Sequence, residues 1–569
     1  MLSRQRRSAM RKAKLLALVV VATMLVGTAS IKVTQAAEGT GSAALTGTVS
    51  SQADGPMEGV LVGAKRDGST ISTWVVSNAQ GQYSFPRDRM EPGRYAIGIR
   101  AVGYELPATS ADVKGDATRL DLPLTKITRA MKIATQMSNG ELIMSAPGTP
   151  QQRASLGACV NCHSLQRVFF SHFDPLEMSI VAARMPRHTN NSSPMHPWFR
   201  PQEGPLPVIT EPTSQGRYLS SINLSATDTF QFPLKTLPRP KGKATQVIYT
   251  VYELPRPDAS PHDVAFDADG NAWYSDFNSQ YFGKLDVKTG KVVEYSPPLR
   301  RTGQVAQGGL QIDLDKQGRV YYGNMSQLQI VRLDPKTGKM ETFQLPTPEN
   351  TWGDGHLTMI DPAHMDVDGQ LWFNIAFDTG ESGGTWRVDL AKNKWTPMTY
   401  PKGSPPARAY DVVADSQNNA WGMQMTNDKL WKTDAKTLQT TWYDFPTKGA
   451  GCRRGHMDSQ DRLWCGVFNG NRLAMFDTKT LIFTEWTVPT EWTRPYDAQY
   501  DDRAYAWTAG MDNDLAVRLN VATGEFTQYL LPHETNVRHV EVQKSGPLSS
   551  LWLGDQHGNT LTKIEPLAP

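Results

Sequence analysis

The chain has 569 residues, 59 Lys plus Arg, 56 Asp plus Glu and a formal charge of +3. Residues 1–36 hold seven of the basic residues and no acid, so the chain without them carries −4, and a slightly acidic protein has no electrostatic reason to bind nucleic acid. Four cysteines exclude a disulfide-framed fold, and the length suggests several domains.

The start of the chain reads as an export signal over residues 1–36. Arg4, Arg6, Arg7, Arg11, Lys12 and Lys14 precede an apolar run, Leu15 to Val26. That run is too short to span a bilayer comfortably. Thr34-Gln35-Ala36 reads as the cleavage site, with an uncleaved anchor as the alternative. No later segment is apolar enough to cross a membrane, so a periplasmic or secreted protein is expected.

Residues 44–125 alternate as short strands with Gly and Pro punctuation: Leu45 to Val49, Gly59 to Ala64, Gln82 to Phe85 and Ala96 to Arg100. This spacing predicts an N-terminal β-sandwich. The turn phrases Asn78-Ala79-Gln80-Gly81 and Pro92-Gly93-Arg94-Tyr95 resemble those of the carboxypeptidase regulatory-like domain. The resemblance implies an accessory role, and the segment contains no nucleophile, metal cluster or acid pair.

Residues 126–235 change character. Ile127 to Ile143, Gln151 to Ala158 and Phe173 to Met185 are predicted helices, and Pro186 to Pro240 reads as an irregular wrap and linker. Cys159-Val160-Asn161-Cys162-His163 places two thiols at i and i+3 with a histidine behind them. That pattern predicts covalent haem c, one per chain, with His163 on the iron. A zinc site would want a second ligand pair nearby, and a redox dithiol would want a βαβ frame. Met178, Met185, His172, His188, Met195 and His196 are candidates for the distal ligand. The run from Cys159 to Met185 resembles short monohaem cytochrome c domains, which implies Met185, with Met195 and His172 as alternatives.

Residues 245–569 repeat. A proline closes each unit at Pro255, Pro297, Pro346, Pro401, Pro446, Pro489 and Pro532, at intervals of 42 to 55 residues. An aromatic recurs at one phase: Trp273, Tyr321, Trp372, Trp421, Trp464, Trp507 and Trp552. Seven such units with four short strands each predict a C-terminal seven-bladed β-propeller, with a solenoid as the rival. The last unit has room for three strands only, and Val247 to Pro255 supplies the fourth, which would close the ring. The fold class is therefore mainly β: sandwich, small α-helical cytochrome c segment, propeller. Cys452 and Cys465 flank a short hairpin and would either pair in an oxidising compartment or stay as two buried thiols.

The innermost strands of a propeller line its channel. Aligning the repeats places His262-Asp263, Gln311, His364, Tyr410-Asp411, Arg453, Arg454 and His456, Tyr496-Asp497 and Arg538-His539 there. The alternative is that these residues only hydrogen-bond neighbouring blades. The repeated Asp-x-x-Gly-x-x-Trp and Leu-Asp-x-x-Thr-Gly phrases resemble the virginiamycin B (streptogramin) lyase-like propellers, whose chemistry is metal-assisted elimination. That resemblance implies His539 and His262, from adjacent blades, with Asp276 and Asp555 at matching phase. Trp273-Tyr274-Ser275-Asp276 departs from the family phrase in its last residue.

Two functions follow. In the first, a small organic substrate in the channel is oxidised, with His262, His539, Arg538 and His456 as site residues. The haem accepts the electrons and passes them to a periplasmic electron-transfer partner. In the alternative, the propeller is a carbon–oxygen lyase that uses a divalent metal, and the haem is accessory. The sequence holds no dinucleotide fingerprint and leaves a quinone cofactor open.

Overall fold

A computed structural model describes residues 42–199, 205–302, 305–346, 356–376, 384–398, 409–425 and 428–568. The export signal expected over 1–36 lies outside these residues. Among them, no helix is long and apolar enough to cross a membrane. The architecture is mainly β, with several antiparallel sheets and a few short helices.

Six four-stranded antiparallel sheets follow one another from Pro261 to Leu530. Their first strands are Pro261–Phe266, Gly309–Leu314, His356–Asp361, Ala409–Ala414, Cys452–Met457 and Pro495–Tyr500; the sheets are numbered 1 to 6 in that order. Each first strand packs against the next. The strand Glu541–Gln543, which opens sheet 7, packs against both Pro495–Tyr500 and Pro261–Phe266.

The repeated phrases have a local cause. In the turn Asp286 to Gly290, the Asp286 carboxylate accepts the N–H groups of Lys288 at 2.9 Å and Thr289 at 3.2 Å. Gly290 then takes the left-handed conformation at φ 72. Leu438 and Leu481 hold the same conformation in units that lack the glycine. The recurring tryptophan is tied to the aspartate before it: Trp421 donates to Asp415 at 3.0 Å and Trp464 to Asp458 at 2.9 Å. These tryptophans are fully buried between sheets, where each removes a large apolar area from water.

Sheet 7 carries the fold's main surprise. Its strands Glu541–Gln543, Ser550–Gly554 and Thr560–Pro566 are completed by Val247–Glu253, which pairs antiparallel with Thr560–Pro566 from Val247 opposite Pro566 to Glu253 opposite Thr560. The other edge of Val247–Glu253 does not face solvent. It pairs with Ile71–Val76 of the N-terminal sandwich, so one eight-stranded sheet runs from the sandwich into sheet 7. Leu61 and Val76 share a buried cluster with Val247, Tyr249, Val537 and Leu551. Lys65 and Glu253 form a salt bridge at 2.6 Å across the joint.

The helices of residues 126–235 are short, and their core is not their own. Ala130–Ala134 and Asn139–Ser145 replace the single helix expected over Ile127 to Ile143, because Ser138 and Glu141 form a capping box that restarts the chain. Pro150–Ser155 runs into a 3-10 turn, Leu156–Asn161, and Pro175–Arg184 is followed by Ser214–Ile222. Leu142, Leu156, Val160 and Phe169 are buried in one cluster with Phe277, Met325, Phe468 and Met511, each the residue just after the second strand of a sheet. The expected cytochrome c domain is therefore corrected: this segment is a cap built onto the sheets, with no separate helical bundle.

Candidate metal centre

The first strands and the residues just before them bring polar side chains together in three layers. Nearest the cap lie Arg453, Arg494 and Arg538. The cap is held there by backbone carbonyls: Arg538 Nη2 donates to Asn161 O at 2.6 Å, and Asn536 Nδ2 to Val160 O at 3.2 Å.

The middle layer is an ion pair between sheets that are not neighbours. Arg454 of sheet 5 donates to both carboxylate oxygens of Asp263 of sheet 1, at 2.6 and 2.7 Å. Both side chains are buried. Burial would raise the Asp263 pKa, but Arg454, His539 and His262 hold it well below the carboxylate range. His262 lies beside it, its Nδ1 2.5 Å from Asp263 Oδ1 and its ring stacked on Phe277 at 4.8 Å. Burial pushes this imidazole down to about 4, so it is neutral at pH 7, and its Nε2 has no partner among the described residues.

The layer away from the cap holds His456, Asp497 and His539. Their ligand atoms all lie within 4.8 Å of one another. His456 Nε2 is 3.1 Å from Asp497 Oδ2, and His539 Nε2 is 3.9 Å from the same oxygen. His456 is 23% exposed, whereas Asp497 and His539 are buried. Burial disfavours the charged form of His456, but Asp497 outweighs it and raises the ring to about 9. Burial pushes His539 down to about 3. Asp313 and Glu541 face the same group, and burial raises them to about 7 and about 8.

A His–Asp–His set with one partly exposed member offers nitrogen and carboxylate donors and leaves coordination positions open, as divalent transition metals require. The donors fit such an ion provided His456 releases its proton. Asp497 is ready: burial would raise its pKa, but His456 and Arg454 hold it well below the usual range.

The same side chains also tie sheets together. Asp497 Oδ2 accepts Val540 N at 3.0 Å, Asp411 Oδ2 accepts Gly455 N at 3.0 Å, and Gln311 Oε1 accepts Ile360 N at 2.6 Å. Structural bonding between sheets, the alternative set against a site, therefore accounts for part of this ring.

Among the residues singled out in the sequence, the fold joins His539 to His456 rather than to His262. Asp497 of sheet 6 bridges them, although their sheets are not adjacent. Asp276 instead pairs with Arg256, and Asp555 accepts His557 N in its own turn and Asn536 N from a distant segment, both at 3.1 Å. His364 sits 3.1 Å from Asp361 and is 30% exposed. Cys452 and Cys465 are disulfide-bonded, with Cα atoms 5.9 Å apart.

Covalent haem c at Cys159, Cys162 and His163, the electron acceptor of the oxidation reading, is corrected here. The metal-ligand group that the described residues assemble is His456, Asp497 and His539, and the Cys-x-x-Cys-His string contributes nothing to it. That string folds as the last three residues of the 3-10 turn of the cap and the two residues beyond it. Burial pushes the Cys159 thiol up to about 11. Met185, the expected distal ligand, ends its helix with 36% of its surface exposed. The electron-transfer function falls with this correction.

Residues 44–125 match one known family. The match is to the carboxypeptidase regulatory-like domain. This regulatory-like domain is the sandwich whose strand Ile71–Val76 joins sheet 7. No curated protein matches the chain. Solved structures similar to it include a selenomethionine-substituted virginiamycin B lyase from Staphylococcus aureus, at 16% identity and TM-score 0.47, over 56% of this chain and 99% of that one. A streptogramin B lyase is similar at 17% identity and TM-score 0.48, over 57% and 99%. YCF48 bound to D1 peptide is similar at 12% identity and TM-score 0.41, over 55% and 96%.

Proposed function

We propose that this is an exported protein whose seven sheets close as a seven-bladed propeller, and that its channel holds a divalent metal on His456, Asp497 and His539. The activity is carbon–oxygen bond cleavage in a small organic substrate by metal-assisted elimination. Closure is supported by the packing of Glu541–Gln543 against Pro261–Phe266. The observation that carries the function is the convergence of three ligand atoms within 4.8 Å beside a partly exposed histidine.

A bound divalent ion would supply Lewis-acid polarisation of a substrate oxygen. The protein's own groups do the rest. Elimination needs a base to take a proton from carbon and an acid to protonate the departing oxygen. Asp313 and Glu541, raised to about 7 and about 8 by burial, hold or accept a proton close to neutral pH, where general acid–base transfer is most efficient. The Arg454–Asp263 pair lies between this layer and the cap, so the substrate approaches from the side where His456 and His364 are exposed.

The test is turnover of cyclic esters by the full chain. Ring opening should require added divalent metal, stop with chelator and fall at least ~100-fold in His456→Ala and His539→Ala, the scale of losing a positioned catalytic group. Turnover that persists in chelator would overturn the reading.

A further inference from the structure

The outer strand of sheet 6, Phe526–Leu530, has one free edge. It pairs only with Leu515–Asn520, Arg518 lying opposite Thr527 and Val517 opposite Gln528. At the two ends of this register, Asn520 N donates to Glu525 O at 2.9 Å and Leu531 N to Asp514 O at 2.8 Å. Along an antiparallel pair, bonded and non-bonded residues alternate. Glu525, Thr527, Tyr529 and Leu531 therefore turn their backbone groups into the sheet. Phe526, Gln528 and Leu530 turn theirs outward, where they have no backbone partner among the described residues.

That edge faces a cavity of about 370 Å³. Glu525, Phe526, Thr527 and Gln528 all line it. Side chains of successive strand residues point to opposite faces, so four in a row meet one cavity through the strand's edge. Residues 237–241 also line it, and the turn Gly242–Thr245 packs beside the strand. Pro238 and Pro240 have no N–H to give, so this segment cannot zip onto the edge as a regular fifth strand. The space stays open, within the roughly 300–1,000 Å³ typical of ligand sites. Gln528 Oε1 is buried and has no partner among the described residues.

The charges around the cavity favour an anion. Its buried acids are engaged: Glu141 accepts Leu237 N at 2.6 Å and Ser138 N at 2.8 Å, and Asp514 pairs with Arg100. Lys243 meets Glu525 only at 3.5 Å, and Lys241 makes no ion pair among the described residues.

We propose that the free edge of Phe526–Leu530 takes an extended, acidic segment of a separate protein as a fifth strand of sheet 6. Main-chain bonds to Phe526, Gln528 and Leu530 supply the affinity, and Lys241 and Lys243 select acidic side chains. The site lies outside the channel, so the proposal does not depend on the metal reading.

Titration calorimetry of the full chain with two blocked peptides, Glu-Val-Thr-Val-Glu and Lys-Val-Thr-Val-Lys, tests this together with residue-resolved amide exchange. The acidic peptide should bind one per chain, about 10-fold or more tighter than the basic one. It should slow exchange at Phe526, Gln528 and Leu530 and leave Thr527 and Tyr529, already bonded within the sheet, unchanged. Gln528→Pro removes an outward donor and spares the ladder to Leu515–Asn520. It should weaken the acidic peptide by about 10-fold or more, the scale of one or two lost hydrogen bonds. Should that variant fail to fold, the exchange pattern of the wild-type chain decides. No binding, or no selective slowing of the three outward amides, would overturn the edge site. Equal binding of both peptides would overturn the acidic class. A free chain that dimerises in light scattering with those three amides already slow would give the edge to a second copy and overturn the separate partner.

Discussion

At the residue scale, the proposed chemistry depends on which protons His456, Asp497 and His539 hold. His456 is raised to about 9, against burial, by Asp497. A histidine raised on folding contributes stability that is complete below its unfolded value near 6.5 and lost as pH rises through about 9. Proton NMR of the ring should therefore show His456 titrating near 9, and Asp497→Asn should return it toward or below 6.5. An unshifted midpoint in that variant would refute the ion pair. Because a metal competes with the same proton, divalent-ion affinity should rise about tenfold per pH unit up to about 9. The sequence alignment placed His456, Asp497 and His539 at one phase of the repeat. It could not join them, because it admitted contacts only between adjacent sheets. His456 and His539 belong to sheets 5 and 7, and the Asp497 carboxylate of sheet 6 reaches both.

At the element scale, the repeating units were legible because their chemistry is local. An aspartate caps a turn, a left-handed residue follows it, and a buried tryptophan donates back to the preceding turn. The cap was less legible. Its helices are four to ten residues long and bury their apolar faces against loops far away in sequence, so periodicity alone merged or missed them. Ser214–Ile222 was signalled only by Thr213, whose side chain accepts Gly216 N at 3.0 Å. Two outcomes test elements directly. The Cys452–Cys465 bridge joins the first two strands of sheet 5 and should contribute at most ~3 kcal/mol. Mass mapping without reductant should find it, and Cys452→Ser with Cys465→Ser should lower the denaturation midpoint. Thr250 lies opposite Lys563 on one side and Thr73 on the other. Thr250→Pro removes a ladder donor from a strand paired on both edges, so it should cost ~3 kcal/mol or more. A change below 1 kcal/mol would mean that the strand is not central.

At the scale of the whole molecule, the N-terminal sandwich is continuous with sheet 7. The sequence announced a sandwich and a repeat region as separate units. It gave no sign that Ile71–Val76 would add to Val247–Glu253, because strand pairing between distant segments leaves no periodic trace. Deleting residues 42–126 should expose the Val247–Glu253 edge, an invitation to intermolecular pairing. Light scattering should show association, and thermal unfolding should move down. A monomeric truncated chain with an unchanged midpoint would show that the joint is incidental.

The proposed metal centre is His456, Asp497 and His539, and the most direct measurement is zinc binding to the full chain by titration calorimetry at pH 8 after chelator treatment. One equivalent should bind per chain, with release of about one proton from His456. His456→Ala, Asp497→Asn and His539→Ala should each abolish stoichiometric binding, while Cys159→Ser with Cys162→Ser should leave it intact. Absence of stoichiometric binding, or binding that survives the three channel variants, would contradict the account.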